Sequence, residues 1–302
     1  MAERVLIIGA AGFVGSALER HARGAGAAVL GVGRAARDRS DYVRIDLAAG
    51  PGDLARLLAE WRPDRVYHLA GGPAADPFAA NVTPTRHLIE ALRKVPEQRP
   101  RVLVAGSAAE YGDLGASPIP EGARERPVAA YGVAKLAQTR LALVARRAGM
   151  RVTVVRPFNI MGPGMSPGLA PSRFAREALA ALAQGRREIT VGDLSTLRDY
   201  LDVEDVARAL WALGGPEVED EIVNVCSGVP VATRDVLNEI LRCSGAALDA
   251  RVDPGLVKGP EDIAVSVGCP DRLRALVADA FTFSLQDAVA RLLAGVRAGL
   301  GH

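Results

Sequence analysis

Through the first half of the chain the apolar residues fall in short unbroken runs, not in strict alternation with polar ones. Such runs occupy residues 5–8, 28–32, 42–45, 65–69, 101–105 and 152–155, and each is rich in β-branched or aromatic side chains. Short strands that are apolar on both faces belong inside a sheet covered on both sides. Between them apolar residues recur at helical spacing, from Phe13 to about residue 23, from Asn81 to about 94 and from about 128 to 147. Asn81 is placed as the cap of its helix. Six strands alternating with helices over about 155 residues predict a doubly wound parallel sheet. Beyond about residue 158 the rhythm changes. A breaker-rich loop, Gly162-Pro163-Gly164-Met165-Ser166-Pro167-Gly168, leads to helices near 172–183, 204–213, 233–242, 271–277 and 285–296. Short strands are expected near 189–191 and 221–225, with a turn at Arg198-Asp199-Tyr200.

Composition narrows the function only by exclusion. With 302 residues, 49% of them hydrophobic, the chain can bury a sizeable core. Its 37 basic and 35 acidic residues leave a net charge of +2, so no broad field for nucleic acid or a membrane surface is implied. The first strand begins almost at Met1, and no apolar run reaches membrane-spanning length, which points to the cytoplasm. Cys226, Cys243 and Cys269 are far apart and odd in number, giving neither a disulfide framework nor metal spacing.

Chemistry enters with the segment after the first strand, Gly9-Ala10-Ala11-Gly12-Phe13-Val14-Gly15. Glycines there let backbone approach a pyrophosphate, and the helix that follows, opening at Phe13 and Val14, offers N–H donors and positive dipole. The pattern is a Gly-x-x-Gly-x-x-Gly variant of the dinucleotide fingerprint, with Ala11 in the place of its second glycine. At the end of the second strand an acidic residue would accept hydrogen bonds from a ribose 2′-hydroxyl and mark NAD. Here Gly33-Arg34 stands instead, with Arg37 and Arg39 behind, leaving room and charge for the 2′-phosphate of NADP. Asp46 and Leu47 are candidates for the adenine edge, and Leu69, Ala70 and Gly71 for a strand end that passes close to the cofactor. His68 reads as a packed strand residue. The fold expected is α/β: a Rossmann-type doubly wound parallel sheet, residues 1–158, that binds NAD(P). A smaller C-terminal α/β substrate domain, residues 159–302, follows, with parts of about 195–226 packing back on the first.

Tyr131 and Lys135 lie four apart at the start of a helix and so share a face. A phenol has a pKa of about 10, and a cation held beside it favours the phenolate. Together with the glycine loop, Gly106-Ser107-Ala108-Ala109-Glu110-Tyr111-Gly112, Tyr131-Gly132-Val133-Ala134-Lys135, Arg156-Pro157-Phe158-Asn159 and Arg198-Asp199-Tyr200 occur in one order. That order resembles the extended short-chain dehydrogenase/reductase family, the branch that modifies nucleotide sugars. The later segments, Val191-Gly192-Asp193-Leu194 and Val223-Asn224-Val225-Cys226-Ser227-Gly228 among them, are most similar to its GDP-4-keto-6-deoxy-mannose reductase-like members.

The resemblance implies that Ser107, Tyr131 and Lys135 are catalytic, and that Tyr131, Lys135, Pro157 and Phe158 also contact the cofactor. It further implies Ser107, Ala108, Glu110, Tyr131, Asn159, Arg198 and Glu261 as substrate contacts, with Arg198 at the diphosphate. Glu261 matches an acidic residue near the base, although Lys258 stands where the family motif has arginine. The family's dehydratases carry acidic residues beside the catalytic hydroxyl; Ala108 and Ala109 stand here, which disfavours dehydration. The resemblance thus implies NADPH-dependent reduction of the 4-keto group of a GDP- or dTDP-linked 4-keto-6-deoxy sugar by a homodimer. An NAD-dependent nucleotide-sugar 4-epimerase and a non-catalytic NADP-sensing protein are the alternatives.

Overall fold

The structure, a computed structural model, describes residues 2–115, 118–256 and 263–299. Its central sheet contains β1 (Arg4–Ile8), β2 (Ala28–Gly33), β3 (Tyr42–Arg44), β4 (Arg65–His68), β5 (Arg101–Ala105) and β6 (Val152–Pro157). A seventh strand, Ile222–Val225, comes from much later in the chain. The order across the sheet is β3-β2-β1-β4-β5-β6 followed by the late strand, and every neighbouring pair is parallel. The helices are α1 (Phe13–Gly24), α2 (Gly52–Trp61), α3 (Pro77–Arg93), α4 (Ala130–Arg147), α5 (Ala170–Ala183), α6 (Val203–Leu213), α7 (Thr233–Ser244), α8 (Asp271–Leu276) and α9 (Leu285–Gly299).

The unbroken apolar runs are explained by burial on two sides. Val5, Ile7 and Val155 face one layer with Ala17 and Leu18 of α1 and Val206 and Leu210 of α6. Leu6, Ile8 and Val154 face the other with Leu54 and Leu58 of α2, Leu88 and Leu92 of α3 and Leu143 of α4. Alternate residues of one strand therefore feed two cores. A third cluster gathers Phe174 and Ala178 of α5, Val236 and Ile240 of α7 and Val289 and Leu292 of α9 around Ile189 and Val191. No helix among the described residues is long and apolar enough to cross a membrane.

Three local expectations change. Helix α3 begins at Pro77, capped by Asp76, whose carboxylate accepts the Ala79 N–H at 3.0 Å. Asn81 is therefore inside the helix, where its amide bonds both the N–H and the carbonyl of Gly72, at 2.9 and 3.0 Å. The Arg198-Asp199-Tyr200 segment is not a turn but joins two short strands, Leu197–Arg198 and Tyr200–Asp202. Between them buried Asp199 accepts the N–H groups of Ser227 at 2.9 Å and Gly228 at 2.8 Å, knitting the late loops together. A strand at Asp249–Val252, unanticipated from the sequence, pairs with Glu188–Val191 and is exposed along its whole length.

Candidate active site

The carboxyl ends of β1, β2 and β4 surround a cavity of about 640 Å³. Gly9, Gly12, Arg34, Asp46, Leu47, Leu69, Ala70 and Gly71 line it, eight of the residues expected at a cofactor. Gly9 has φ +91°, and a Cβ there would stand 2.9 Å from the Leu69 carbonyl carbon and the Ala70 nitrogen. A Cβ on Gly15 would run into the Gly9 carbonyl, so both positions require glycine. Gly12, the N-cap of α1, provides no side-chain cap for the helix. Its first-turn N–H groups, on Phe13 and Val14, are left for an anion. Backbone approach, open donors and an absent side chain at Gly33 make these residues fit a dinucleotide.

The arginines behind Gly33 divide. Arg34 is exposed on the cavity wall. Arg39 is spent: its guanidinium pairs with Asp41 at 2.8 Å and with Glu19.

Across the sheet, the end of β5 carries Ser107, whose Oγ accepts the Ala109 N–H at 3.2 Å. Tyr131, in the first turn of α4, lies near enough to Ser107 for that side chain to pull on its phenol. Both hydroxyls are thus brought together at the carboxyl edge, the edge that carries the glycine loop. Burial pushes the Tyr131 phenol above its ordinary range, against the pull of Ser107, and the nearby charge of Glu110 pushes it further.

Lys135 does not do what its spacing predicts. Its ammonium donates to the Ala105 carbonyl at 2.8 Å and to Gln138 Oε1 at 2.9 Å, which hold it on β5 instead of on the phenol. Its pKa is brought down to about 8, chiefly by burial. A lysine loses its charge as pH rises through its pKa, so a catalytic role for the ammonium predicts an alkaline limb. We expect kcat/KM to fall above about pH 8. A profile still flat near the ordinary lysine pKa of about 10 would remove that charge from catalysis.

Glu110 is also misplaced by the sequence reading. It is completely buried behind the Ser107 loop and cannot touch a substrate. One carboxylate oxygen accepts the Ser107 N–H at 2.9 Å and the Thr139 hydroxyl at 3.0 Å, and the other takes Arg156 Nε at 2.9 Å. Arg156, equally buried, reaches on to Glu125 at 2.8 Å and lies over the Tyr111 ring. His68 is the packed strand residue expected: fully buried, it bonds Thr85 at 2.8 Å, and burial lowers its pKa to about 3, leaving it neutral.

Ala108 is buried in the turn that follows Ser107, and Pro157 and Phe158 end β6. Asn159 opens the next short strand, half-buried, with its N–H on the Asp199 carbonyl. Contacts of Arg198 include the backbone carbonyls of Leu197 at 3.0 Å and Ala264 at 3.3 Å. Glu261 and Lys258 lie outside the described residues.

A model of the NAD dependent epimerase/dehydratase family matches residues 5–226, which carry the glycine loop, the Ser107 turn and the Tyr131 helix. The chain belongs to that family. It is an NAD(P)-dependent oxidoreductase of the extended short-chain dehydrogenase/reductase type. It is 33% identical to GDP-6-deoxy-D-mannose reductase from Pseudomonas aeruginosa over 86% of either chain. It is 31% identical to UDP-glucose 4-epimerase from Mycolicibacterium smegmatis over 83% of this chain and 86% of that one. Among solved structures, RMD from Pseudomonas aeruginosa complexed with NADPH superposes with a TM-score of 0.82 at 26% identity. That match covers 99% of this chain and 100% of the other.

Proposed function

We propose that this member of the epimerase/dehydratase family reduces the 4-keto group of a nucleotide-linked 4-keto-6-deoxy sugar, using NADPH. The observation that carries the reading is the end of β2. Gly33 offers no carboxylate for a ribose hydroxyl, and Arg34 presents its charge on the cavity wall. A reductase consumes and exchanges NADPH, whereas a 4-epimerase retains NAD through its cycle. The likeness to a reductase of a GDP-linked deoxysugar supports the same choice. Ala108 and Ala109 put no acid in the two positions after Ser107, and Glu110 is wholly buried, as a ketoreductase permits and a dehydratase does not.

The glycine loop and the first turn of α1 would hold the pyrophosphate, with Asp46 and Leu47 by the adenine. When bound, the dinucleotide supplies hydride transfer to the carbonyl carbon. Ser107 orients the substrate carbonyl by donating its hydroxyl hydrogen, and Tyr131 passes its phenolic proton to the oxygen as negative charge develops there. A raised phenol pKa keeps that proton in place at neutral pH until the oxygen needs it. Asn159 and Arg198 would face the sugar and diphosphate from the segment that begins at residue 159, the proposed substrate domain.

Mixing the protein with NADPH and GDP- or dTDP-linked 4-keto-6-deoxy sugars should consume the nicotinamide absorbance in proportion to sugar reduced. Interconversion of sugars with no net loss of cofactor would replace this reading with the epimerase. No turnover with either class of sugar would leave a cofactor-sensing protein.

A further inference from the structure

Beside Gly33, the cavity wall contains a residue that no motif marks. Strands β2 and β3 pair with Gly31 opposite Tyr42 and Gly33 opposite Arg44. The Tyr42 ring lies along β2, where a Cβ on Gly31 would be 2.8 Å from it. A Cβ on Gly33 would collide with its hydroxyl. Two glycines thus form a trough for one tyrosine, and the phenolic oxygen stands where a side chain at position 33 would begin. Tyr42 is only 8% exposed, and its hydroxyl has no hydrogen-bond partner among the described residues. Buried donors are almost always paired, and leaving one unpaired is costly. This orphan belongs to a residue on the wall of the cavity that also holds Gly9, Gly12 and Arg34.

The end of the second strand is where a dinucleotide fold meets the adenosine ribose. We propose that Tyr42 reads the 2′ position there, its hydroxyl donating to an oxygen of the ribose 2′-phosphate. The assignment rests on the NADPH reading given above and extends it. Arg39, one of the two arginines behind Arg34 in the sequence, is consumed by Glu19 and Asp41. Tyr42 adds a neutral donor beside the exposed Arg34, so selectivity for the phosphate comes from a charge and a fixed hydroxyl together. A phenol pinned by packing loses little freedom on binding, unlike a loop arginine.

The Tyr42→Phe variant keeps the ring on its two glycines and removes only the oxygen. Dissociation constants for NADPH and NADH, measured by nucleotide fluorescence on wild type and variant, test the proposal. Wild type should prefer NADPH. The variant should bind NADPH roughly tenfold more weakly, the worth of one hydrogen bond to a charged group, with NADH within about twofold of wild type. Its melting temperature without nucleotide should be unchanged or higher, because an unpaired donor has gone. A wild type that does not prefer NADPH removes the cofactor reading, and with it the role of Tyr42. A wild type that prefers NADPH, with equal affinities in the variant or an equal loss for both nucleotides, overturns the role of Tyr42 alone.

Discussion

Tyr131→Phe is expected to lower kcat by roughly 10²- to 10⁴-fold, the range for loss of a positioned general acid, with little change in KM. The phenyl ring preserves the packing of the first turn of α4, so the loss isolates the hydroxyl. Ser107 cannot take over the transfer. Its Oγ accepts the Ala109 N–H at 3.2 Å, and among the described residues no hydrogen bond links that hydroxyl to a base that could relay a proton. Lys135 is held away from that place, its ammonium donating to the Ala105 carbonyl at 2.8 Å and to Gln138 at 2.9 Å. Single-turnover oxidation of NADPH by a saturating 4-keto sugar separates the chemical step from product release. A variant that keeps more than about a tenth of wild-type kcat would remove Tyr131 from proton transfer. An unchanged urea midpoint would show that the fold is not the cause.

What the sequence discloses is governed by how locally each feature is determined. β1 and β6 are legible because residues such as Leu6 and Ile7 must be apolar on both faces, a demand visible without knowing the neighbours. Gly9 and Gly15 are legible because no other residue fits their backbone. The strand at Asp249–Val252 is not, because it is exposed and needs no apolar pattern. Glu110 and Lys135 are the instructive pair. Both stand beside residues with a recognisable motif, and in both cases the partner that decides their state is remote in sequence. Arg156 reaches Glu110 from 46 positions away, and the Ala105 carbonyl meets Lys135 from 30 away. A backbone carbonyl carries no side-chain signal at all. Tyr42 opposite Gly31 had a signal in principle, two alternate glycines facing one aromatic across paired strands, but it needs the register to be known.

Arg156→Met is expected to destabilise the protein by about 3–5 kcal/mol. The guanidinium and the Glu110 carboxylate are both wholly inaccessible, with Arg156 Nη2 2.8 Å from Glu110 and 2.8 Å from Glu125. Removing the cation strips a buried carboxylate of its compensating charge, and that penalty, more than the lost attraction, sets the cost. Because small domains are stable by only about 5–15 kcal/mol, the shift in urea midpoint should be large. Pairing the change with Glu110→Gln should recover most of the loss. A neutral amide still accepts the Ser107 N–H, and no charge is left buried without a partner. Activity should return with stability, since that bond fixes the Ser107 loop at the end of β5. If Arg156→Met alone unfolds at the wild-type urea concentration, the buried pair contributes nothing to holding Ser107. The loop would then be set by its own turn, with Ala109 and Tyr111 bonded back to Ser107 and Ala108.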